Sequence, residues 1–443
     1  MAPASAAPGL ILAAPASGQG KTVTTLAIVR ALVRSGLRVA VAKTGPDYID
    51  PAFHAAAGGD PCFNLDPWAM RKATLAGLAG RLGAAADIVV CEGVMGLFDG
   101  AADGTGSTAD LAALTGWPVV LVADVRGQGA SAAALLGGFA GHRPDVKLAG
   151  AILNRVGGPG HRDMLRAAIA ETLPRLPLLG FLPRDAALEL PERHLGLVQA
   201  VEHPALGAFL DRAGEIAAAN IDLDALRQLA RPARIAAATP PVPLRAPGQR
   251  IAIARDAAFA FAYASVLDGW RAAGAALSFF SPLDDEAPDR GADAVYLPGG
   301  YPELHAGRLA ANAGFLGGLR AAAARGAAVF GECGGYMVLG RGLVDADGAR
   351  HEMAGLLPLE TSFAERRRHL GYRHARLAAD SPLGPKGTKF AGHEFHYATI
   401  AAEGPGTPLF AETADARGAA RGPAGLVAGR VAGSFIHLID AAP

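Results

Sequence analysis

The sequence predicts an α/β protein built from two doubly wound domains. Three observations predict this: short continuous apolar runs alternate with stretches of helical spacing, the alternation breaks once near residue 231, and it then restarts. Continuous apolar runs mark parallel strands buried on both faces, and helices between them cover those faces. A length of 443 residues accommodates two such domains, each with its own core.

The elements follow in order. Residues 10–14 form a buried strand, 22–35 a helix that stops at Gly36, and 37–43 a second strand. Strands are expected at 88–91, 119–124, 148–153 and 178–182, with helices at 108–114 and 161–172. Ser107 followed by Asp110 is a helix-capping pattern. Residues 231–249, within RPARIAAATPPVPLRAPGQR, read as a linker between a domain at 1–230 and a domain at 250–443. Beyond it, strands are expected at 251–254, 277–280, 294–297 and 327–330, with helices at 259–273 and 304–325.

Composition excludes several classes. Lys+Arg and Asp+Glu are both 41, so no broad basic surface is available for nucleic acid, and no anionic membrane partner is expected. Gly and Pro, 58 and 31 residues, make about a fifth of the chain, below the roughly 25–30% of low-complexity sequence. Three scattered cysteines, Cys62, Cys91 and Cys333, build neither a disulfide framework nor a paired zinc site, which fits a reducing cytoplasm. Residues 1–9 lack a basic stretch and no apolar window reaches about 18 residues, so neither a signal peptide nor a membrane span is expected.

The first strand runs into PASGQGKT and then a helix. Ser17, Gly18, Gln19, Gly20, Lys21 and Thr22 match the end of a phosphate-binding loop, although its first glycine falls on Pro15. Consecutive backbone N–H groups must turn toward a polyphosphate there, which needs glycines, and the helix N-terminus adds positive potential. Lys21 would reach the terminal phosphates and the Thr22 hydroxyl would bind Mg²⁺. Lys43, Asp47, Asp50, Glu92 and Asp99 all follow strand ends, where open parallel sheets bind ligands. Several carboxylates beside a triphosphate repel it unless a cation intervenes, so Mg²⁺ is expected, with Thr22, Asp47 and Glu92 as its ligands. Asp50 and Asp99 also read as loop-holding turn residues. Asn154 is placed to read adenine or to form a turn, and Asp124 to stand behind Mg²⁺ or simply to end its strand.

In the second half, Cys333 lies in GECGGYMVLG, a strand-to-helix elbow that would project a nucleophile. The helix N-terminus is expected to favour its thiolate. Gly299 and Gly300 of LPGGYPE offer backbone donors for an oxyanion, and His437 of GSFIHLID is a base. A buried structural thiol is the plain alternative for Cys333. His393 and His396 in GHEFHYA are spaced wrongly for a shared zinc on one helix face, and read as substrate contacts or as a structural cluster. Arg366, Arg367 and Arg368 read as a solvated face or as a greeting for an anionic substrate.

Taken together, KTGPDYIDP, EGVMGLFDG, LPGGYPELH, GECGGYMVLG, GHEFHY and GSFIHL resemble the cobyrinic/hydrogenobyrinic acid a,c-diamide synthases of cobalamin biosynthesis over nearly the whole chain. The first half is similar to dethiobiotin synthetase and the deviant-loop partitioning ATPases, the second to class I glutamine amidotransferases. The resemblance implies ATP, glutamine and an anionic corrinoid as substrates. Cys333 would form a γ-glutamyl thioester, His437 would move the protons, and donors near Gly300 and Gly334 would hold the oxyanion. Ammonia would pass internally to the first domain and displace phosphate from an acyl phosphate on the a and c acetates. The ATP-site roles fall on Lys21, Thr22, Asp47, Asp50, Glu92 and Asp99, with Tyr48 in the same motif. Class I amidotransferases place a Glu two residues after the histidine, and here Ile439 stands there. Asp440 is next, and strict alternation would turn it away, so the centre reads as a Cys–His dyad. Still open are the same chemistry on another tetrapyrrole such as nickel-sirohydrochlorin, and a switch ATPase with a non-catalytic second domain. A homodimer is left open as well.

Overall fold

A computed structural model describes residues 7–193, 196–235 and 239–442. Residues 236–238 of the expected linker and residues 1–6, 194–195 and 443 of the expected domains lie outside the described residues. By its internal contacts the chain divides into two compact units, one of residues 1–68 and 72–240, the other of 69–71 and 241–443.

The first unit runs β1 (Gly9–Ala13), α1 (Lys21–Arg34), β2 (Val39–Thr44), α2 (Asp50–Gly58), β3 (Phe63–Leu65), α3 (Lys72–Ala85) and β4 (Ile88–Glu92). It continues through α4 (Thr108–Thr115), β5 (Val119–Asp124), α5 (Ser131–His142), β6 (Leu148–Val156), α6 (Pro159–Thr172) and β7 (Leu178–Pro183). A short ribbon, β8 (Glu192–Arg193) and β9 (Gly196–Leu197), precedes α7 (Leu206–Asn220) and α8 (Leu223–Leu229). The strands form one parallel sheet in the order β3-β2-β4-β1-β5-β6-β7. Every residue of β1, β4 and β5 is buried, as a sheet covered on both faces requires. The chain leaves β1 toward β2 on one side and leaves β4 toward β5 on the other, so the loops after β1 and β4 flank the crevice where the winding reverses. Ser107 and Asp110 exchange the reciprocal bonds of a capping box at the start of α4.

The second unit runs β10 (Arg250–Ala254), α9 (Ala264–Ala272), β11 (Ala276–Phe280), β12 (Ala294–Leu297), α10 (Ala306–Ala311), α11 (Ala313–Ala324), β13 (Ala328–Glu332) and α12 (Gly334–Leu339). Strands then dominate: β14 (Gly342–Val344), β15 (Arg350–Glu352), β16 (Leu359–Ser362), β17 (His369–Leu377), β18 (Lys389–His396), β19 (Thr399–Glu403), β20 (Thr407–Asp415), β21 (Ala420–Ala428), β22 (Val431–Ser434) and β23 (His437–Ala441). The large sheet has the order β11-β10-β12-β13-β22-β21-β20-β17-β18-β23. Its first five strands are parallel and the remainder pair antiparallel. The expected strands at 251–254, 277–280, 294–297 and 327–330 make four of the five parallel strands. The antiparallel extension was not foreseen, because its strands are half exposed and carry no continuous apolar run. Val295, Leu297 and Val329 pack with Leu309, Phe315 and Leu319 of α10 and α11, each such side chain contributing roughly 2 kcal/mol of apolar burial.

Arg71 and Asp440 close one edge of this unit. The Asp440 carboxylate has no exposed surface and accepts from the Arg71 backbone N–H at 2.9 Å, Nε at 3.1 Å and Nη2 at 2.6 Å. Removing one partner of such a pair strands the other charge in a low dielectric. Arg71→Ala should therefore destabilise the second unit by about 3 kcal/mol, read as a lowered urea midpoint, and Arg71→Ala with Asp440→Ala should recover part of the loss.

Candidate functional site

In the first unit the site grows from the β1–α1 connection. Gly18 and Gly20 have φ of 76° and 79°, where any other residue is strained. A Cβ on Gly20 would also lie 2.2 Å from Asn154 Nδ2. The loop is braced on β5 and β6: Asn154 Nδ2 donates to the Gln19 carbonyl at 2.9 Å, and the Asp124 N–H donates to Gln19 Oε1 at 2.9 Å. Ser17 and Gly18 stay exposed. Arg155 donates to the Gly18 carbonyl at 3.0 Å and to Asp124 at 2.7 Å, and Arg126 takes the same carboxylate. Asp124 is thus an ion-pair anchor for the loop at the end of its strand.

Lys21 and Thr22 open α1 and converge with the ends of β2 and β4, where Lys43 and Glu92 pair in register. Glu92 has no exposed surface. Its Oε1 accepts from the Thr22 hydroxyl at 2.7 Å and lies 3.0 Å from Lys43 Nζ and 3.6 Å from Lys21 Nζ. Its Oε2 bonds to His54 Nε2. Lys43 also donates to Asp50 Oδ2 at 2.5 Å, and Lys21 to the Gly93 carbonyl at 2.5 Å. Burial alone would raise the Glu92 pKa, but Lys43, His54 and Lys21 hold it well below the usual carboxylate range. Burial lowers Lys43 as well, and the carboxylates of Asp50, Glu92 and Asp47 more than reverse this. Lys21 falls to about 8, mainly through burial and then through Lys43. Asp47 accepts from the Ile49 and Asp50 N–H groups at 2.8 and 3.0 Å, and burial with the Asp50 charge pushes it up to about 6. Asp99 accepts from the Gly96 N–H at 3.0 Å, the turn-holding bond that its alternative reading named. Tyr48 is buried.

In the second unit Cys333 joins β13 to α12 with φ 48° and ψ −104°, a conformation rare outside glycine. Its N–H donates to the Ser434 carbonyl at 2.8 Å. A Cβ built on Gly299 would lie 2.3 Å from His437 Cε1, 3.1 Å from His437 Nε2 and 3.3 Å from Cys333 Cβ. The Cys333 and His437 side chains therefore both lie against Gly299. A Cβ on Gly334 would lie 3.0 Å from the Gly300 nitrogen, which brings those two backbone groups together as well. Burial pushes the Cys333 thiol up, with Glu303 adding to it, so the expected preference for thiolate is overturned: desolvation outweighs the end of a six-residue helix. Burial, His393 and His396 lower His437 to about 3, leaving a neutral imidazole.

His393 pairs in register with His437 and packs edge-on against Tyr372. Burial and then Arg373 lower it to about 3. His396, on the other face of β18, donates toward Glu394 at 2.9 Å and stacks on Phe435 at 3.9 Å. Both histidines bear electrostatically on His437. His369, Glu394 and His396 could offer ligand atoms to one metal ion, but Arg373 already pairs with Glu394 at 2.7 Å. The register of β23 skips Ile439: Gly392 opposes Leu438, and Ala391 opposes Asp440. This bulge resets the alternation and returns Asp440 to the His437 face, correcting the expectation that it points away. Its carboxylate is engaged with Arg71 all the same.

Comparison with known proteins adds the family. Residues 10–198 match the CobQ/CobB/MinD/ParA nucleotide binding domain and residues 250–442 the CobB/CobQ-like glutamine amidotransferase domain. The chain is 57% identical over 437 residues to a hydrogenobyrinate a,c-diamide synthase of Sinorhizobium sp, covering 98% of this chain and 99% of that one. The enzyme of the same name from Rhizobium meliloti (strain 1021) is 57% identical with the same coverage. That of Rhodobacter capsulatus is 55% identical over 439 residues, with 97% and 98% covered. The chain belongs to the hydrogenobyrinate a,c-diamide synthase family. It is thus a glutamine-dependent amide ligase with a nucleotide-binding domain.

Sequence reasoning missed His54, although Asp50 and His54 stand four apart on α2 and so share a face. It missed Arg155 too, whose partner Asp124 is remote in sequence. The buried Cys333 thiol makes a direct test. Its alkylation by iodoacetamide at pH 7.5, followed by peptide mass spectrometry, should run at least about ten-fold slower than that of an exposed cysteine.

Proposed function

We propose that this protein converts the a and c acetate carboxylates of hydrogenobyrinate to amides in cobalamin biosynthesis, using ATP and glutamine. The near-complete match to synthases of that name carries the reading, and the convergence of Cys333, His437 and Gly299 supports its glutamine half. In the domain of residues 250–443, His437 Nε2 takes the Cys333 proton and the sulfur attacks the glutamine side-chain amide. Backbone N–H groups at Gly300 and Gly334 hold the oxyanion. The imidazolium returns its proton to the departing nitrogen, ammonia leaves, and water frees glutamate from the thioester.

In the domain of residues 1–230, joined through the linker 231–249, the loop Ser17–Gly18–Gln19–Gly20 cradles the ATP phosphates. Lys21 and Lys43 face the negative charge, and Asn154 steadies the loop beside the nucleotide. A substrate carboxylate oxygen attacks the γ-phosphorus and ADP departs. Ammonia then attacks the acyl carbon and inorganic phosphate leaves, which hydroxide would do poorly. Asp47, Tyr48, Asp50 and Asp99 line the path of the acyl phosphate, and His393 and His396 contact substrate at the glutamine site. The Thr22 hydroxyl and Glu92 carboxylate are 2.7 Å apart, and Asp47 carries a pKa raised by burial and then by the Asp50 charge. This all-oxygen set fits a hard divalent cation, so Thr22, Asp47 and Glu92 would hold Mg²⁺, which when bound withdraws charge from the transferring phosphoryl group. The three free cysteines suit a reducing cytoplasm, and among the described residues no helix is long and apolar enough to cross a membrane.

Incubation with ATP, glutamine and either hydrogenobyrinate or cobyrinate, followed by mass spectrometry of the ring, tests the assignment. Two amides gained on hydrogenobyrinate are expected, and none on either ring refutes it. Cys333→Ala should lose glutamine-supported amidation by at least about 10³-fold and retain turnover with high ammonium. A His437 pKa lowered to about 3 keeps the base neutral through pH 5–8. The kcat for glutamine hydrolysis should accordingly show no acid limb near 6.5, where an ordinary imidazole would lose its lone pair.

A further inference from the structure

The position two residues beyond His437 holds Ile439, and the neighbouring Asp440 is engaged with Arg71. Another buried carboxylate nevertheless reaches the histidine strand. Glu332, the last residue of β13 and the one before Cys333, is 2% exposed. Its Oε1 accepts from the Leu438 N–H at 2.9 Å and its Oε2 from the Tyr296 hydroxyl at 2.6 Å, both bonds buried. Leu438 directly follows His437. In the sheet β13 pairs with β12 and β22, whereas β23 pairs with β18. The Glu332 side chain thus bridges two strands that the ladder keeps apart.

β23 is the last strand of its sheet and pairs with β18, and the Leu438 N–H finds its acceptor in Glu332. Tyr296 is itself fixed edge-on against Trp270 at 5.2 Å and stacked on Phe330 at 6.0 Å. The carboxylate is therefore held at both oxygens by groups that cannot drift. Burial pushes its pKa up to about 7, an expense that packing alone would not require of a core position.

We propose that Glu332 is a positioning residue for the Cys333–His437 pair, fixing the His437 backbone against the nucleophile elbow. It acts through the Leu438 amide rather than through the imidazole. The proposal rests on Cys333 and His437 being the glutamine-hydrolysing pair.

The test uses the full chain with ATP, hydrogenobyrinate and either glutamine or ammonium. Glu332→Ala should lower kcat for glutamine hydrolysis by about 10²-fold, with KM for glutamine and ammonium-supported amidation within about two-fold of the parent. Glu332→Gln should recover most of the loss, because its amide oxygen still accepts from Leu438. Tyr296→Phe keeps the carboxylate and removes one anchor, and should lower kcat about five-fold. It decides the matter if Glu332→Ala does not fold. The proposal is overturned by an unchanged kcat in Glu332→Ala or Tyr296→Phe, by Glu332→Gln as impaired as Glu332→Ala, or by KM and melting temperature shifting together with kcat. Cys333→Ala separates the two readings: if it still hydrolyses glutamine, the Cys–His assignment itself fails, whereas its inactivity beside an unaffected Glu332→Ala refutes the role of Glu332 alone.

Discussion

Glu92 has no exposed surface and still stays ionised, because Lys43, His54 and Lys21 surround it. A buried carboxylate without such neighbours would take up a proton. Everything else at the crevice follows from that arrangement. The lysines are drawn into the protein by Glu92 and Asp50, the Thr22 hydroxyl is aimed by Glu92, and the start of α1 is thereby registered against the ends of β2 and β4. Lys21 is the more responsive of the two lysines. Its pKa of about 8 lies closer to neutrality than that of Lys43, and besides its 3.6 Å ion pair with Glu92 its bonds run to the Gly93 and Met95 carbonyls.

The second unit uses burial in the opposite sense. Where the first keeps ions charged by crowding opposite signs together, the second keeps its reacting pair neutral. The Cys333 thiol is raised and the His437 imidazole lowered, so a resting thiolate–imidazolium pair is disfavoured. The strained backbone at Cys333 and the close approach of Gly299 to the imidazole belong to the same design, since geometry must supply what a preformed thiolate would otherwise provide.

What was legible in the sequence divides along a physical line. The phosphate loop, the cysteine elbow and the parallel strands were legible because each is a local pattern: glycines where φ must be positive, apolar runs where both faces are covered. Lys43, Asp50 and Glu92 were legible because strand ends of a parallel sheet meet on one edge. His54 was not, since a single histidine on an apolar helix announces nothing until the fold sets it against Glu92. The antiparallel strands beyond residue 342 were equally hidden, because their exposed faces dilute the apolar signal. The direction of the Cys333 shift was misread for a related reason. A helix terminus is visible in sequence, whereas the depth at which it is buried is not.

Asp440 shows how far one residue can turn such a reading. Counting alternation from His437 sends it to the opposite face, and this holds only while the ladder keeps step. Skipping Ile439 returns it to the histidine face. Asp440 pairs with Arg71, and the Leu438 amide donates to Glu332. Asp440 thus anchors the edge of the unit, and Glu332 ties the end of β13 to the histidine strand. In this geometry the imidazole is steered through the backbone that carries it, and an aliphatic residue suffices where a third side chain would otherwise be required.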